Sequence, residues 1–146
     1  MKKLEFDIDI KADVQKVWDT LLNPGTYKEV CGAAFPGSYY IGNWKKGENI
    51  RFLSPQGGGT LAKIVDLKPN EYIGAEHIAV INSDGTEDTN SELAQGWVGT
   101  TENYTFSKKK GGSNFKAEME VNPEWEKMFV DSWPKILGKL KELSEN

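Results

Sequence analysis

The chain has 146 residues, of which 38% are hydrophobic, 27% charged and 11% aromatic, and this fits a single globular domain spanning 1–146. Its net charge of −4, with both signs interleaved, excludes the basic face that binding of nucleic acid requires. One cysteine and one histidine exclude an internal disulfide and a zinc site built from these residues, so we predict no metal and no cofactor.

The beginning of the chain predicts a strand followed by two short helices. Apolar and charged residues alternate over residues 4–10, which indicates a strand with one buried face. Because this segment follows Met1–Lys3 directly, it does not resemble a signal segment, and no window reaches the roughly 18 apolar residues of a membrane span. We therefore expect a cytoplasmic protein without membrane insertion. Asp13 is typical of a helix N-cap, and Asn23–Pro24 ends the first helix and begins the second.

From about residue 37, short segments of strand-forming residues alternate with turns that contain glycine. These segments predict strands near 38–43, 49–54, 60–67, 71–82, 97–107 and 113–121. The connections are too short for crossover helices, so the sheet should be antiparallel. Residues 83–96 are polar and acidic and form the longest loop, a length that is often functional.

The last part of the chain predicts a long helix that begins near Asn122–Pro123. Its apolar residues recur at helical spacing, as expected of a helix packed along its whole length. The largest of them fall in its first half: Trp125, Met128, Phe129 and Trp133. They could belong to a plain core, but walls rich in aromatic residues and methionine are typical of apolar pockets, so we predict that this half lines a cavity.

Two polar residues fall on strands where the pattern predicts burial. His77 is either a structural histidine with a hydrogen-bond partner, or a polar anchor or proton acceptor at a pocket wall. Glu102 shares a strand face with Tyr104 and Phe106, so it lies either at a wet rim or inside. Inside, it would need a cation, several hydrogen bonds, or a proton of its own with a raised pKa. The partners considered for Glu102 are His77, Arg51, Tyr39, Tyr40 and Tyr104.

Two further motifs have ordinary interpretations. Cys31 has no obvious base beside it, so we interpret it as a small buried filler rather than as a nucleophile paired with His77. Gly57–Gly59 lies between two strands, and without a following helix it predicts a hairpin turn rather than a phosphate-binding loop.

Several short stretches, taken in order, carry a family resemblance. They are Lys11–Asp13 leading into Val17–Leu21 and Asn23–Pro24, Pro69 before Tyr72–Ile73, Glu102–Phe106, and a closing Trp133–Leu137 with Leu140–Leu143. Across the whole chain this order resembles the SRPBCC (START-like) superfamily, and within it the branch similar to the activator of heat-shock-protein-90 ATPase. The resemblance implies an α+β helix-grip fold: a curved antiparallel sheet of six to seven strands around a long C-terminal helix, with two short helices after the first strand. It also implies a cavity between sheet and helix, in which family members bind lipids, hormones or polyketides and a minority catalyse cyclisation or hydrolysis.

These features lead to three functional hypotheses. The first is binding of a hydrophobic or amphipathic small molecule by a monomer or weak homodimer, with the 83–96 loop as a lid. The residues predicted to bind it are Trp44, Phe52, His77, Trp97, Glu102, Tyr104, Trp125, Met128, Phe129 and Trp133. The second is a cyclase- or hydrolase-like enzyme in which Glu102 and His77 face each other. The third is a co-chaperone-like interaction protein, which would need a large exposed apolar patch.

Overall fold

The computed structural model describes every residue from Met1 to Asn146 and has an α+β architecture. Along the chain the elements are β1 (Lys2–Ile10), α1 (Val14–Leu22), α2 (Pro24–Gly32), β2 (Tyr39–Ile41), β3 (Asn49–Leu53), β4 (Gly59–Lys68), β5 (Tyr72–Ile81), β6 (Glu87–Asp88), α3 (Glu92–Gln95), β7 (Thr101–Lys109), β8 (Gly112–Val121) and α4 (Glu126–Glu145). A 3₁₀ turn, Pro123–Trp125, precedes α4.

All strands belong to one curled antiparallel sheet. Its order is β1-β8-β7-β5-β4-β3-β2, and the short β6 pairs with β5 beside this path. The helix α4 packs against β1, α1 and α2, and buries Phe129, Trp133, Ile136, Leu137 and Leu140. This arrangement confirms the predicted helix-grip fold class, including the two short helices after the first strand.

The starts of the helices follow from side-chain caps. The Asp13 carboxylate accepts a hydrogen bond from the backbone N–H of Lys16 at 2.9 Å, and Asn23 Oδ1 accepts one from Gly25 at 2.9 Å. Asn122 caps the 3₁₀ turn rather than α4, so the long helix begins at Glu126, later than predicted. No helix combines the length and apolar character needed to cross a membrane.

The main departure from the sequence prediction lies between β5 and β7. Residues 82–100, hereafter the β5–β7 connection, contain β6 and α3, and the strand predicted at 97–107 begins only at Thr101. Where the two strands separate, the His77 N–H donates to the Thr100 carbonyl at 2.9 Å, and the Gly99 N–H donates to the His77 carbonyl at 2.8 Å. His77 therefore marks the point at which β5 leaves β7.

Candidate ligand-binding pocket

A pocket of about 320 Å³ lies among α1, α2, the central strands and the first half of α4. It is lined by 20 residues, of which 13 are hydrophobic, and none is Lys or Arg. Its volume is at the lower end of the roughly 300–1,000 Å³ typical of small-molecule sites. The pocket is thus large enough for a small apolar ligand.

Most of the residues predicted to bind a ligand lie on this wall: Trp44, Phe52, His77, Trp97, Glu102, Tyr104, Met128, Phe129 and Trp133. Trp125 is the exception. Its ring stacks on that of Trp97, with centroids 4.9 Å apart and planes at 24°, and it does not line the pocket. Ligand contact by the wall residues remains a prediction.

One aromatic wall is built by α2, β3 and the connection between β2 and β3. The ring of Phe52 lies 6.4 Å from Tyr27 and 5.9 Å from Trp44, measured between centroids. Tyr40 packs against the same cluster without lining the pocket, and its ring centroid lies 4.9 Å from that of Tyr27 and 5.4 Å from that of Trp44. Such tilted and stacked pairs hold large side chains in fixed positions.

A second aromatic wall joins α4 to the β5–β7 connection and to β7. The Trp97 centroid lies 6.0 Å from Phe129 and 5.3 Å from the His77 ring. The Trp133 centroid lies 6.0 Å from Tyr104. The polar residues His77 and Tyr104 therefore sit directly against this second wall.

Strand register brings His77, Glu102 and Tyr104 together as one polar group. In β5–β7 pairing, Ala75 is opposite Glu102 and Ile73 is opposite Tyr104, so His77 is a diagonal neighbour of Glu102 on the same face. His77 Nε2 lies 3.8 Å from Glu102 Oε1, and the Tyr104 hydroxyl donates a hydrogen bond to Glu102 Oε2. Of the two positions that the sequence left open for Glu102, the structure has the inward one, on the pocket wall.

The charge states of this polar group follow from its surroundings. Burial opposes ionisation of Glu102, but the neighbouring His77 and the hydrogen bond from Tyr104 hold its pKa below the usual value. Burial and the neighbouring Glu102 charge raise the pKa of Tyr104 well above its usual value. Near neutral pH Glu102 is thus a carboxylate and Tyr104 a donor, and the possibility of a Glu102 with a raised pKa and its own proton is not realised.

Two other partners considered for Glu102 are engaged elsewhere. Arg51 on β3 pairs with Glu87 on β6 at 2.8 Å. The Tyr40 hydroxyl donates to the Leu22 carbonyl at the end of α1. Both side chains therefore link secondary-structure elements, and the polar neighbours of Glu102 are His77 and Tyr104.

Two buried polar atoms on the wall have no hydrogen-bond partner within the protein: His77 Nδ1 and Trp44 Nε1. His77 is 6% exposed. Because more than nine in ten buried polar groups in proteins are paired, unpaired atoms on a pocket wall are candidate contacts for a ligand.

The sequence did not reveal the contribution of α2 to the pocket. Tyr27 and Cys31 both line it, so Cys31 is a wall residue rather than a buried filler. Burial raises the pKa of the Cys31 thiol to about 12, since the opposing hydrogen bond with Tyr27 is smaller and the Glu102 charge adds to the rise. A thiol with this pKa stays protonated and is a poor nucleophile.

The mouth of the pocket is marked by apolar wall residues that reach solvent. Phe35, after α2, is 38% exposed, and Met128, in the first turn of α4, is 41% exposed. No residue of 83–96 lines the pocket, and Trp97 is the residue through which the β5–β7 connection contributes to the wall. The predicted lid therefore adds no wall residue of its own.

Comparison with known proteins supports the fold. No protein-family model and no curated protein matches the chain. Among solved structures, a protein from Mesorhizobium loti has a TM-score of 0.74 at 14% identity, covering 97% of this chain and 96% of its own. A protein from Chromobacterium violaceum has a TM-score of 0.72 at 16% identity, covering 99% and 97%. The Aha1 dimer from Colwellia psychrerythraea has a TM-score of 0.71 at 18% identity, also covering 99% and 97%. At these identities the likeness concerns the fold alone, and the chain shares the helix-grip fold of these proteins.

Proposed function

We propose that the protein binds a hydrophobic or amphipathic small molecule in the pocket between the sheet and α4. The observation that carries this proposal is a pocket of about 320 Å³ with two aromatic walls and one polar group. Apolar walls supply affinity through burial of ligand surface, and a few fixed polar groups orient the ligand. The size suits a compact ligand of two or three rings, or a short acyl chain.

A cyclase- or hydrolase-like activity is the second candidate, because Glu102 and His77 lie 3.8 Å apart on the wall. Efficient general bases have pKa values near the working pH, whereas the pKa of Glu102 is lowered. The protonated Cys31 offers no alternative nucleophile. Binding without catalysis is therefore the better-supported proposal.

The co-chaperone-like alternative is supported only by the likeness of fold to the Aha1 dimer from Colwellia psychrerythraea. The same likeness is compatible with a homodimer, and we retain a monomer or weak homodimer as the expectation. Neither point bears on the pocket.

A titration with the neutral fluorescent dye N-phenylnaphthylamine tests the binding proposal. Thr60 lies on β4 opposite Phe52 and lines the pocket, so Thr60→Phe should place a ring inside it. Thr105 lies on β7 opposite Lys116 and does not line the pocket, so Thr105→Phe is the matched control. We expect saturable binding by the wild type and the control, and a loss of about tenfold or more in affinity for Thr60→Phe, equal to about 1.4 kcal/mol or more.

Absence of saturable dye binding to the wild type, or undiminished binding by Thr60→Phe, would contradict the proposal. Native mass spectrometry of the purified protein, followed by extraction of any bound mass, would then identify the class of natural ligand.

A further inference from the structure

The charges on the pocket wall are unbalanced. Glu102 is the single carboxylate on the wall, and no Lys or Arg accompanies it. His77 is the only basic side chain within its reach. A ligand that enters therefore meets a negative group without a permanent positive partner.

The hydrogen bonding of Glu102 is also incomplete. Its Oε2 atom accepts a hydrogen bond from Tyr104, but the nearest donor to Oε1 is His77 Nε2 at 3.8 Å, which exceeds hydrogen-bonding distance. An ionised carboxylate can accept about four hydrogen bonds. Oε1 has no hydrogen-bond donor within the protein and is not among the fully buried unpaired atoms, so it can accept a donor from the pocket.

The two side chains beside this carboxylate, His77 and Tyr104, each pack on a tryptophan ring of the pocket wall. Trp97 packs on His77, and Trp133 packs on Tyr104, each with centroids within 6.0 Å. The faces of aromatic rings attract cations, and Trp does so most strongly. A carboxylate and tryptophan rings on the same pocket wall together favour an ammonium group over a neutral or negative one.

We propose that the ligand is an amine: a cationic ammonium group donates to the Glu102 carboxylate while an aromatic or alicyclic body fills the apolar walls. This inference rests on the proposed binding function and specifies its ligand class. A ligand carboxylate in the same place would bring two negative charges together in a partly desolvated site, so acids such as fatty acids should be excluded.

Three probes with the same bicyclic body separate the head groups: naphthylethylamine, naphthylethanol and naphthylacetate. Each is used to displace N-phenylnaphthylamine from the wild type, from Glu102→Gln and from Glu76→Gln. Glu76 is the control because it lies next to His77 on β5, is opposite Lys63 of β4 in the sheet, and does not line the pocket. Its variant removes the same charge outside the site.

On the wild type and on Glu76→Gln, we expect the amine to bind about tenfold tighter than the alcohol, the size of one charge-assisted hydrogen bond, and the acid to bind weakest. In Glu102→Gln the amine should lose this advantage and the acid should gain affinity.

Equal displacement by the three probes, tightest binding of the acid, or an amine preference that persists in Glu102→Gln would overturn the inference while leaving the binding function intact. Failure of the dye to bind the wild type would instead remove the binding function and this inference together. The ranking on the wild type requires no variant, and circular dichroism and thermal unfolding of Glu102→Gln show whether it is folded.

Discussion

Glu102 shows how a single carboxylate can be kept charged inside an apolar wall. Its cost of burial is offset by a hydrogen bond from Tyr104 and by the nearby His77. Tyr104 lies two residues along the same strand face, whereas His77 is brought beside Glu102 by the register between β5 and β7. The group therefore depends on correct pairing of β5 with β7.

The pH dependence of stability should report this environment. The pKa of Glu102 is lower in the folded protein than its usual value of 4.5. The ionised carboxylate therefore stabilises the folded state fully at pH values above 4.5, and this stabilisation is lost as the pH falls through the pKa of the folded state. We expect the wild type to lose free energy of unfolding relative to Glu102→Gln over this acidic range. Urea unfolding of both proteins across the range measures it, and a difference that does not change with pH would contradict it. The exposed carboxylates with lowered pKa, such as Asp9 and Asp84, occur in both proteins and cancel.

Strand periodicity was enough to predict that Glu102 and Tyr104 share a face of their strand, because successive side chains on a strand alternate, but it left open whether Glu102 points inward. It could not show that His77 would lie beside Glu102, since that depends on the register between β5 and β7. Trp125 was misplaced for a geometric reason: it belongs to a 3₁₀ turn, so its direction does not follow the stripe of α4. Tyr27 was not singled out, and Cys31 was interpreted as a filler, because α2 has a single buried residue, Val30, and no clear apolar face.

At the scale of elements, the β5–β7 connection is attached to the rest of the molecule by aromatic stacking. Trp97 stacks on Trp125 and contacts Phe129, so the connection is held against the start of α4. The sequence placed a strand over Trp97 and Val98, but Gly99 has a φ of 88°, which interrupts an extended strand. A pattern of apolar residues could not show this turn.

Replacing Trp125 should loosen the β5–β7 connection more than the rest of the fold. Trp125→Ala removes the ring behind Trp97, and an aromatic pair is worth about 0.5–1.5 kcal/mol beyond its buried area. We expect faster hydrogen exchange by the backbone amides of 94–100, with little change in the amides that pair β1 with β8. Peptide-resolved mass spectrometry measures both regions in one experiment, and a uniform acceleration or no acceleration would contradict the expectation.

At the scale of the whole molecule, α4 contributes residues to both the pocket wall and the hydrophobic core. Met128, Phe129 and Trp133 line the pocket, whereas Leu137 and Leu140 belong to the buried core and not to the pocket wall. The predicted division of the helix is only partly reproduced, since Trp125 does not line the pocket, Ile136 does, and Phe129 and Trp133 also belong to the core. The order of strands and helices was predictable because turn residues and two clear periodicities marked most of the elements.

Stability and binding should accordingly respond to different residues. Phe115 is fully buried and packs on Phe106 and Tyr104, so Phe115→Ala should cost about 3–5 kcal/mol in the free energy of unfolding. Phe35 is exposed at the pocket mouth, so Phe35→Ala should change stability by less than about 1 kcal/mol but weaken dye binding. Urea unfolding and dye titration of both variants test this. Equal destabilisation by the two substitutions, or unchanged dye binding by Phe35→Ala, would contradict the expected separation.

The most direct test of the central claim is a proton–nitrogen correlation spectrum of the tryptophan indole groups, recorded with and without N-phenylnaphthylamine. The chain has 5 tryptophans, of which Trp44, Trp97 and Trp133 line the pocket, while Trp18 packs on Phe106 away from it. A ligand in the pocket should shift the signals of those three and leave that of Trp18 nearly unchanged. Saturable binding that shifts Trp18 alone, or that leaves the three wall signals in place, would show that the ligand binds elsewhere and would contradict the account.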